Sequence, residues 1–388
     1  MNEYSKFLAH KKPIRIGLVG GGFMGKVHSN AYHSIRCIYD PEAYTPELVM
    51  LGASTAQEAS AAAARYGFSR SCEGYREIVE SNDIDVVDIC ISDTLHKEVA
   101  LEALKNGKHV LCEKPLALKS SDAFEMLEAA KKAGVKAMCG FNYRFCSAVT
   151  LARNLIKSGK MGRVYHFNGS YLQDDAYEED TKLENLPFAY GSKGSGAALG
   201  IGCHIIDMAR YLVGEIIDVS GIMRTYNEFR DSREGKVRID KDEDMLAMVN
   251  FDNGATGLLR ASKIAAGRKN KLTWEISCSR GSIAFDLENL NYLDVFYKES
   301  PLQELSGFTR INVTQADKNH PFMDVWWPRG HIVGWENAHI NEIAYFLNCI
   351  AHNDDLEPQG AGFEDGYKSI LIIDSIKKAA AEKKVVQL

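Results

Sequence analysis

Two short segments of this chain carry side chains suited to the oxidation of an alcohol. The first is Glu113-Lys114-Pro115, which directly follows the apolar run His109–Cys112. A lysine ammonium in a binding site can hold a hydroxyl and stabilise it as an alkoxide while a hydride leaves the carbon. The second segment runs from Gly202 to Asp207 and contains His204, whose imidazole could take the proton. The residue types alone do not identify a function, and it is their position relative to a cofactor site that would give them a role in hydride transfer.

A glycine-rich turn upstream of the lysine could hold the hydride acceptor. It is Gly20-Gly21-Gly22-Phe23-Met24-Gly25, which follows the apolar run Ile14–Val19 and opens a helical pattern. Gly20 permits the tight turn, Gly22 lets the backbone approach a pyrophosphate, and Gly25 packs the helix against the strand. The strand–turn–helix context therefore predicts a dinucleotide site with the phosphates at the helix N-terminus.

The end of the second predicted strand bears on the choice of dinucleotide. An acidic residue there would bind a ribose hydroxyl of NAD, and a nearby basic residue would bind the 2′-phosphate of NADP. The strand Leu48–Ala53 is followed by Ser54 and Thr55, so neither kind is present. Ser54 is the candidate contact at this place, and the choice between NAD and NADP stays open.

The elements that must position these residues alternate regularly from Ile14 to Gly140. Short β-branched strands between amphipathic helices predict a parallel sheet covered on both faces. Ligands of such sheets bind beyond the carboxyl ends of the strands. By that rule the candidate ligand-binding residues are Ser92, Asp93, His96, Glu113, Lys114, Asn142, Tyr143 and Arg144.

The pattern changes after residue 140. Val164–Leu172, Met245–Phe251, Ala255–Ala261 and further apolar segments up to Val313 have the pattern of strands joined by short turns. Consecutive strands of this kind predict an antiparallel sheet. We therefore expect an α/β chain with a Rossmann dinucleotide-binding domain at 1–140. At 141–388 we expect an α+β domain for substrate binding and oligomerisation, with a large open, mainly antiparallel sheet.

Glycines surround the segment that carries His204. They are Gly191, Gly194, Gly196, Gly200 and Gly202, which could form a loop that approaches a ligand closely. Asp207 lies three residues after His204 and can share its helix face, so a core histidine held by Asp207 is the alternative. His331, in the aromatic segment Trp326–His331, could line a sugar pocket. No cluster of His, Asp or Glu has the spacing of a metal site, so we expect none.

Composition argues against several other classes. The 388 residues carry a formal net charge of −6 without a dense Lys/Arg block, so we expect neither nucleic-acid nor membrane partners. We find no signal-peptide pattern and no apolar run near the roughly 18 residues of a membrane span. Nine cysteines without CxxC pairs fit reduced thiols, so we expect a cytoplasmic protein.

Together these motifs resemble those of the Gfo/Idh/MocA oxidoreductase family, named for glucose–fructose oxidoreductase and inositol dehydrogenase. The resemblance covers essentially the whole chain. It rests on Gly20–Gly25, Cys112-Glu113-Lys114-Pro115, Gly140-Phe141-Asn142-Tyr143-Arg144 and Gly202–Asp207. The segments Gly330–Glu336 and Gly267–Asn270 look like the branch that acts on glycosides, anhydrosugars and inositols.

The resemblance implies hydride transfer between a nicotinamide and a hydroxyl-bearing ring carbon, in a homodimer or homotetramer. It implies catalytic roles for Lys114 and His204. The implied cofactor-binding residues, with those from the strand-end rule, are Gly20, Gly22, Phe23, Met24, Gly25, Ser54, Ser92, Asp93, His96, Glu113, Lys114 and Asn142. The candidate substrate-binding residues are Lys114, Tyr143, Arg144, Gln173, Asp174, His204 and His331.

Two positions depart from that family's pattern. The family often carries Asp four residues before the catalytic histidine, where this chain has Gly200, and often Asn where it has Asp93. Three explanations stay open for Gly200. Lys114 and His204 suffice, another acid such as Asp174 or Asp207 takes over, or redox activity is reduced or lost.

We therefore expect an NAD(P)-dependent dehydrogenase of a sugar, glycoside or cyclic polyol such as an inositol. Two other functions stay open. One is NAD-assisted glycoside cleavage through transient oxidation. The other is a non-enzymatic dinucleotide-binding sensor, which Gly200 would permit.

Overall fold

The computed structural model describes residues 12–41, 43–179, 181–186, 195–233, 235–299, 304, 306–317 and 319–388. Gly191 and Gly194 of the predicted glycine loop lie outside these ranges. The chain divides into two compact units. The first comprises the described parts of Met1–Phe145 with Gly334–Tyr367, and the second those of Cys146–Val333 with Lys368–Leu388. Within these ranges, none of the helices has a stretch long and apolar enough to cross a membrane.

The first unit is built on six parallel strands. They are β1 Lys12–Val19, β2 Tyr44–Ala53, β3 Arg70–Glu73, β4 Val86–Ile89, β5 His109–Glu113 and β6 Ala137–Gly140, in the order β3-β2-β1-β4-β5-β6. The helices between them are α1 Phe23–Ile38, α2 Ala56–Tyr66, α3 Arg76–Glu80, α4 His96–Lys105 and α5 Ser120–Ala133. The predicted parallel sheet is confirmed.

Local signals explain where these elements begin and end. The hydroxyl of Thr55 caps α2 by accepting a hydrogen bond from Glu58 N at 3.2 Å, and Gly67 ends that helix with φ +80°. The four residues of β4 are all buried, as a central parallel strand requires. The sequence pattern did not predict β3 and α3, because each element is too short to show the periodicity of a strand or a helix.

The second unit contains a nine-stranded sheet. Its elements in chain order are α6 Ser147–Lys157, β7 Val164–Leu172, α7 Cys203–Leu212, β8 Ile216–Arg224, β9 Phe229–Ser232, β10 Gly235–Arg238, β11 Asp244–Phe251, β12 Thr256–Ser262, β13 Lys271–Cys278, β14 Gly281–Asp286, β15 Tyr292–Tyr297 and β16 Thr309–Asn312. Three elements come after these, α8 Trp335–His352, α9 Phe363–Glu382 and β17 Val386–Gln387. The sheet order is β16-β15-β14-β13-β7-β12-β11-β8-β17, and β9 pairs with β10.

One strand pair in the second sheet differs in direction from its neighbours. Of the described pairs in the nine-stranded sheet, β7 and β12 run parallel and the others run antiparallel. The predicted mainly antiparallel sheet is therefore confirmed. Because β7 and β12 are parallel, their carboxyl ends lie at the same edge.

The units differ from the predicted division at residue 140. The segment Gly334–Tyr367, expected in the second domain, packs within the first unit. Tyr44 Oη donates to the carbonyl oxygen of Ala344 at 3.0 Å, and Cys139 N donates to that of Ala361 at 2.8 Å. The sequence pattern could not show this return, because these contacts join residues about 220 to 300 positions apart along the chain.

Candidate active site

The glycine turn between β1 and α1 leaves the amino end of α1 open. Gly20 has φ +113°, and a Cβ there would lie 2.3 Å from the carbonyl oxygen of Cys90. A Cβ on Gly25 would lie 1.9 Å from the carbonyl oxygen of Gly20. Gly22 precedes α1 without a side-chain cap, and a Cβ there would meet no described atom within 4 Å. The turn thus presents uncapped helix N–H groups to open space, which suits a phosphate.

The side chains of Phe23 and Met24 have neighbours within the first unit. Phe23 is 65% exposed and stacks on Trp335, with ring centroids 5.9 Å apart and an interplanar angle of 17°. Met24 packs against a core cluster that contains Leu18 and Leu51. A contact of Met24 with a dinucleotide would therefore involve its backbone.

Two buried polar atoms after the strands test whether a nicotinamide nucleotide fits this unit. Asp93 Oδ1 and Asn142 Nδ2 are buried, and neither has a hydrogen-bond partner in the described part of the chain. Buried polar atoms rarely lack a partner, so each is available to a group other than the described residues. One follows β4 and the other follows β6, at the carboxyl edge where ligands bind. An acceptor and a donor there fit the hydroxyls and carboxamide of a nicotinamide riboside.

The other residues at this edge divide by exposure. Ser54 follows β2 and is exposed, and Ser92 Oγ lies 2.9 Å from Thr94 Oγ1. His96 is buried, with Nδ1 2.9 Å from the carbonyl oxygen of Pro115 and Nε2 3.2 Å from that of Ile91. Burial lowers the pKa of His96. Both ring nitrogens thus face the protein, so the ring holds the turn after β5 beside the segment after β4.

A buried hydrogen-bond network that the sequence analysis missed holds Glu113. His28 on α1 places Nε2 3.2 Å from Glu113 Oε1 and Nδ1 2.9 Å from Asp88 Oδ2. Tyr32 Oη donates to the same oxygen of Asp88 at 2.9 Å. The side chains of His28 and Asp88 are 0% exposed and that of Glu113 is 6% exposed. One imidazole therefore bridges two buried carboxylates.

The charges in this network follow from its geometry. Burial alone would lower the pKa of His28, but the charge of Asp88 and the hydrogen bond to it raise that pKa well above its ordinary value. Burial alone would raise the pKa of Glu113, but the hydrogen bond from His28, with the charges of His28 and Lys114, lowers it to about 2. At neutral pH the network is an imidazolium between carboxylates.

Two aromatic residues of α8 lie against this network. The ring of Trp335 meets that of His339 edge-on at 4.4 Å, and His339 lies 5.8 Å from the ring of His28. Burial, followed by the positive charge of His28, lowers the pKa of His339 to about 3. His339 is therefore neutral at physiological pH, next to a charged histidine.

The same residues approach metal-ligand spacing. Potential ligand atoms of His28, Glu113 and His339 lie within 4.8 Å of one another, as do those of His28, Asp88 and Cys90. These residues are far apart along the chain, so their spacing in the sequence does not resemble a metal site. Since both nitrogens of His28 already face carboxylates, we interpret the group as a hydrogen-bond network.

Lys114 lies at the carboxyl end of β5, between Glu113 and a turn. Its backbone N donates to Glu113 Oε2 at 3.2 Å, its peptide bond to Pro115 is cis, and its side chain is partly buried. The network therefore fixes the residue directly before Lys114.

The structure places Tyr143 and Arg144 in the interior of the first unit. Arg144 Nη1 lies 3.2 Å from Asp365 Oδ2 and donates to the carbonyl oxygen of Gly360 at 3.3 Å. Tyr143 Oη accepts from Trp335 Nε1 at 3.4 Å. We predicted that Arg144 contacts the substrate. In the structure its guanidinium instead contacts the 360–365 segment. The sequence could not show this, because Asp365 lies in the returning segment.

His204 lies in the first turn of α7, after the π-helical turn Ala198–Gly202. Its side chain is buried, and its ring lies 5.8 Å from that of Tyr171 at an angle of 59°. A Cβ on Gly202 would lie 3.3 Å from Ala261 Cβ, so the glycine lets this segment lie close to the sheet. Asp207 is fully buried on the same helix.

The remaining predicted substrate contacts lie in loops of the second unit. Gln173 Nε2 donates to Asn270 Oδ1 at 2.9 Å. Asp174 Oδ2 accepts from Lys269 Nζ at 2.7 Å and from Gly267 N at 3.0 Å, and the hydrogen bond from Lys269 lowers the pKa of Asp174. His331 is exposed, with Nδ1 2.7 Å from the carbonyl oxygen of Pro328. Gln173 and Asp174 therefore join the segment after β7 to the 267–270 loop.

Comparison with known proteins identifies the family. A profile described as the oxidoreductase family with an NAD-binding Rossmann fold matches residues 14–141, and one for the GFO/IDH/MocA C-terminal domain matches residues 149–284. Levoglucosan dehydrogenase of Pseudarthrobacter phenanthrenivorans is 35% identical over 97% of this chain and 98% of that protein. Myo-inositol 2-dehydrogenase of Thermotoga maritima is 26% identical, over 97% and 98% respectively.

Solved structures agree with this relationship. A levoglucosan dehydrogenase in complex with NADH and levoglucosan has a TM-score of 0.91 at 35% identity, covering 97% of this chain and 99% of that one. The chain therefore belongs to the Gfo/Idh/MocA family and is an oxidoreductase with an NAD-binding Rossmann fold in its first unit.

Proposed function

We propose that this protein is a dehydrogenase that oxidises a hydroxyl on a ring carbon of a sugar, anhydrosugar or cyclic polyol, with NAD as the acceptor. The observation that carries the proposal is the placement of Lys114 after β5. There the buried pair of Glu113 and His28 fixes the preceding residue, in the same unit as the glycine turn. The likeness to levoglucosan dehydrogenase over nearly the whole of both chains supports a sugar substrate.

In the first unit Lys114 binds the reacting hydroxyl and stabilises the oxygen as its proton leaves. NAD, when bound, accepts the hydride. The residues that would hold it are Gly20, Gly22, Phe23, Met24, Gly25, Ser54, Ser92, Asp93 and Asn142, while His96 and Glu113 would keep the segments around it in place. The unpartnered Asp93 Oδ1 and Asn142 Nδ2 support this assignment.

In the second unit we assign the proton acceptor to His204. Of the acids considered as replacements for the one absent at Gly200, Asp174 is already paired with Lys269 and Asp207 is fully buried. We therefore propose that Lys114 and His204 carry the proton chemistry and that Gln173 contributes to substrate binding.

We propose that NAD is preferred over NADP. Ser54 is exposed at the end of β2, and residues 53–55 offer no cation to a 2′-phosphate.

We also propose that the protein assembles as a homo-oligomer through the open face of the nine-stranded sheet. Four exposed apolar side chains support this: Ile222, Leu246, Met248 and Leu258 are 48%, 41%, 60% and 56% exposed on adjacent strands. Contiguous exposed apolar surface is typical of an interface. Arg310 and Asp294 pair on neighbouring strands of the same face at 2.9 Å with side chains 60% and 31% exposed, so the face carries both signs of charge and could meet a second copy of itself.

The state of the cysteines is consistent with a reducing compartment. All nine are free thiols, and eight of them are buried. We infer that the protein acts in the cytoplasm.

The direct test is incubation with NAD or NADP and each of levoglucosan, myo-inositol and glucose, followed by the near-ultraviolet absorbance of reduced cofactor. We expect turnover with at least one of them, and loss of at least about 100-fold in kcat for Lys114→Met and for His204→Asn. NAD binding by Lys114→Met, followed by protein fluorescence, should persist. Binding of NAD without turnover of any ring alcohol in either direction would support the sensor function and overturn the proposal.

A further inference from the structure

A buried lysine of the second unit pairs with an acid that the sequence analysis did not single out. Lys263 directly follows β12, and its side chain is 3% exposed. Its Nζ lies 3.0 Å from Asp175 Oδ2. Lysine is almost never fully buried without a partner, so Asp175 is needed to keep the ammonium in this place.

Backbone hydrogen bonds hold this pair at the carboxyl ends of β7 and β12. Gln173 N donates to the carbonyl oxygen of Ser262 at 2.8 Å, and Ala176 N donates to that of Lys263 at 3.0 Å. On its other side, Lys263 N donates to the carbonyl oxygen of Glu243 at 3.0 Å. Asp175 therefore lies in a turn after β7 and Lys263 in a bend after β12, and backbone hydrogen bonds hold both segments.

The segment that carries Lys263 also contacts the turn before His204. Ala261, two residues before Lys263, has its Cβ 3.3 Å from the place of a Cβ on Gly202. Asp242 Oδ2 accepts from Ala198 N at 2.6 Å, which ties the segment leading to His204 to the residue next to Glu243. Three segments of the second unit thus converge around Lys263.

The second carboxylate oxygen of Asp175 lacks a partner. Asp175 Oδ1 is buried and has no hydrogen-bond donor among the described residues, although the side chain as a whole is 25% exposed. A buried acceptor without a donor is costly, and a substrate hydroxyl would remove that cost. We propose that Asp175 Oδ1 accepts a hydrogen bond from a substrate hydroxyl, and that Asp175 and Lys263 form a subsite selective for uncharged, hydroxyl-bearing rings. This inference rests on the proposed function.

The selectivity follows from charge. Asp175 neutralises Lys263, just as Asp174 neutralises Lys269 in the neighbouring loop. A phosphate or carboxylate on the substrate would meet Asp175 Oδ1, an acceptor that repels it, without an unpaired ammonium to bind it. Neutral sugars and anhydrosugars are therefore favoured over sugar phosphates.

The variant that tests the subsite is Asp175→Asn. Lys263 can only donate, so the amide oxygen of Asn will face Lys263 and the NH₂ group will take the place of Oδ1. The acceptor thereby becomes a donor at nearly unchanged shape, and the net charge of the pair rises by one. We expect KM for levoglucosan to rise at least about tenfold with kcat within about threefold of the parent. The ratio of kcat/KM for levoglucosan to that for glucose 6-phosphate should fall by at least about tenfold.

Two further variants separate binding from folding. Asp286→Asn is the matched control, because Asp286 pairs with Lys271 in the same unit at similar exposure and should leave KM unchanged. The double variant Asp175→Asn with Lys263→Gln leaves no buried charge and covers the case in which Asp175→Asn does not fold. It should show the same rise in KM for levoglucosan.

An unchanged KM for levoglucosan in folded Asp175→Asn would overturn the proposal, as would equal losses on neutral and phosphorylated sugars. If the parent protein turns over no sugar at all, the proposed function fails. The shift in Tm that levoglucosan causes in the presence of NAD then tests whether the subsite binds the sugar. A shift in the parent that is lost in Asp175→Asn supports the subsite, and no shift in the parent overturns it.

Discussion

The imidazole of His28 lies 3.2 Å from the carboxylate of Glu113, and this contact joins the glycine turn to the proposed catalytic lysine. His28 is on α1, the helix whose amino end the glycine turn leaves open, and Glu113 directly precedes Lys114. We therefore propose that this buried pair helps to place Lys114 against a bound dinucleotide. Since Asp88 lies on the other side of the ring, His28 keeps its charge while it holds Glu113.

His28→Gln tests that dependence. It removes the cation between two buried carboxylates, so we expect the free energy of unfolding to fall by about 3–5 kcal/mol. We expect kcat to fall at least about tenfold because Glu113 no longer fixes the residue before Lys114. Urea unfolding and initial rates measure the two effects.

Two comparisons show whether His28 acts through Glu113. The double variant His28→Gln with Glu113→Gln should recover only part of the stability, because Glu113 is no longer a buried charge whereas Asp88 still is. It should not recover the rate. His33→Gln, at an exposed site on the same helix, should change neither quantity. Parental stability and parental kcat in His28→Gln would show that the pair is dispensable.

Acid should destabilise the first unit through the same network. Glu113, with a pKa of about 2 when folded, contributes stability that is present above its ordinary value of 4.5 and is lost as the pH falls through about 2. His339 has a pKa of about 3 when folded against an ordinary 6.5, so the unfolded chain takes up its proton first as the pH falls. Stability therefore decreases as the pH drops from 6.5 towards 3.

His339→Phe removes the contribution of His339 to the pH dependence of stability and keeps an aromatic ring against Trp335. Between about pH 6.5 and pH 4 we expect the variant to lose roughly 3 kcal/mol less than the parent. Urea midpoints at several pH values measure this difference. His352→Phe, at the exposed end of the same helix, is the control. Parallel curves for the parent and His339→Phe would contradict a buried, neutral His339.

The sequence predicted those parts of the fold and site that depend on local pattern. The turn at Gly20–Gly25 and the end of β5 can each be recognised from residues that are adjacent in the sequence. Both lie where they were expected. His28 and Asp88 were missed because their pairing joins a helix to a strand 60 residues away. One signal was present, since an acid inside the apolar segment Val86–Ile91 cannot be buried without a partner. Arg144 was assigned to substrate because nothing in its own segment points to Asp365.

Ser54 allows a direct test of cofactor choice. Ser54→Arg places a cation at the end of β2, where a 2′-phosphate would lie, so we expect the NADP-to-NAD ratio of kcat/KM to rise at least about tenfold. Ser54→Ala, which adds no charge, should leave the ratio within about threefold. Rates with each cofactor at fixed sugar measure both. A parent that already prefers NADP would refute the proposed preference for NAD.

The open sheet face predicts how the protein assembles. Met248 and Leu258 lie directly opposite each other on β11 and β12 and are more than half exposed, whereas Val249 next to Met248 is buried on the other face. Met248→Glu with Leu258→Glu would place two like charges in a desolvated interface, at a cost of several kcal/mol. Light scattering after size-exclusion chromatography should therefore show a dimer or tetramer for the parent and a monomer for this variant. Tyr177→Glu, a similarly exposed residue in the loop after β7, should keep the parent mass. A monomeric parent, or a variant of parent mass, would mean that a second copy does not cover this face.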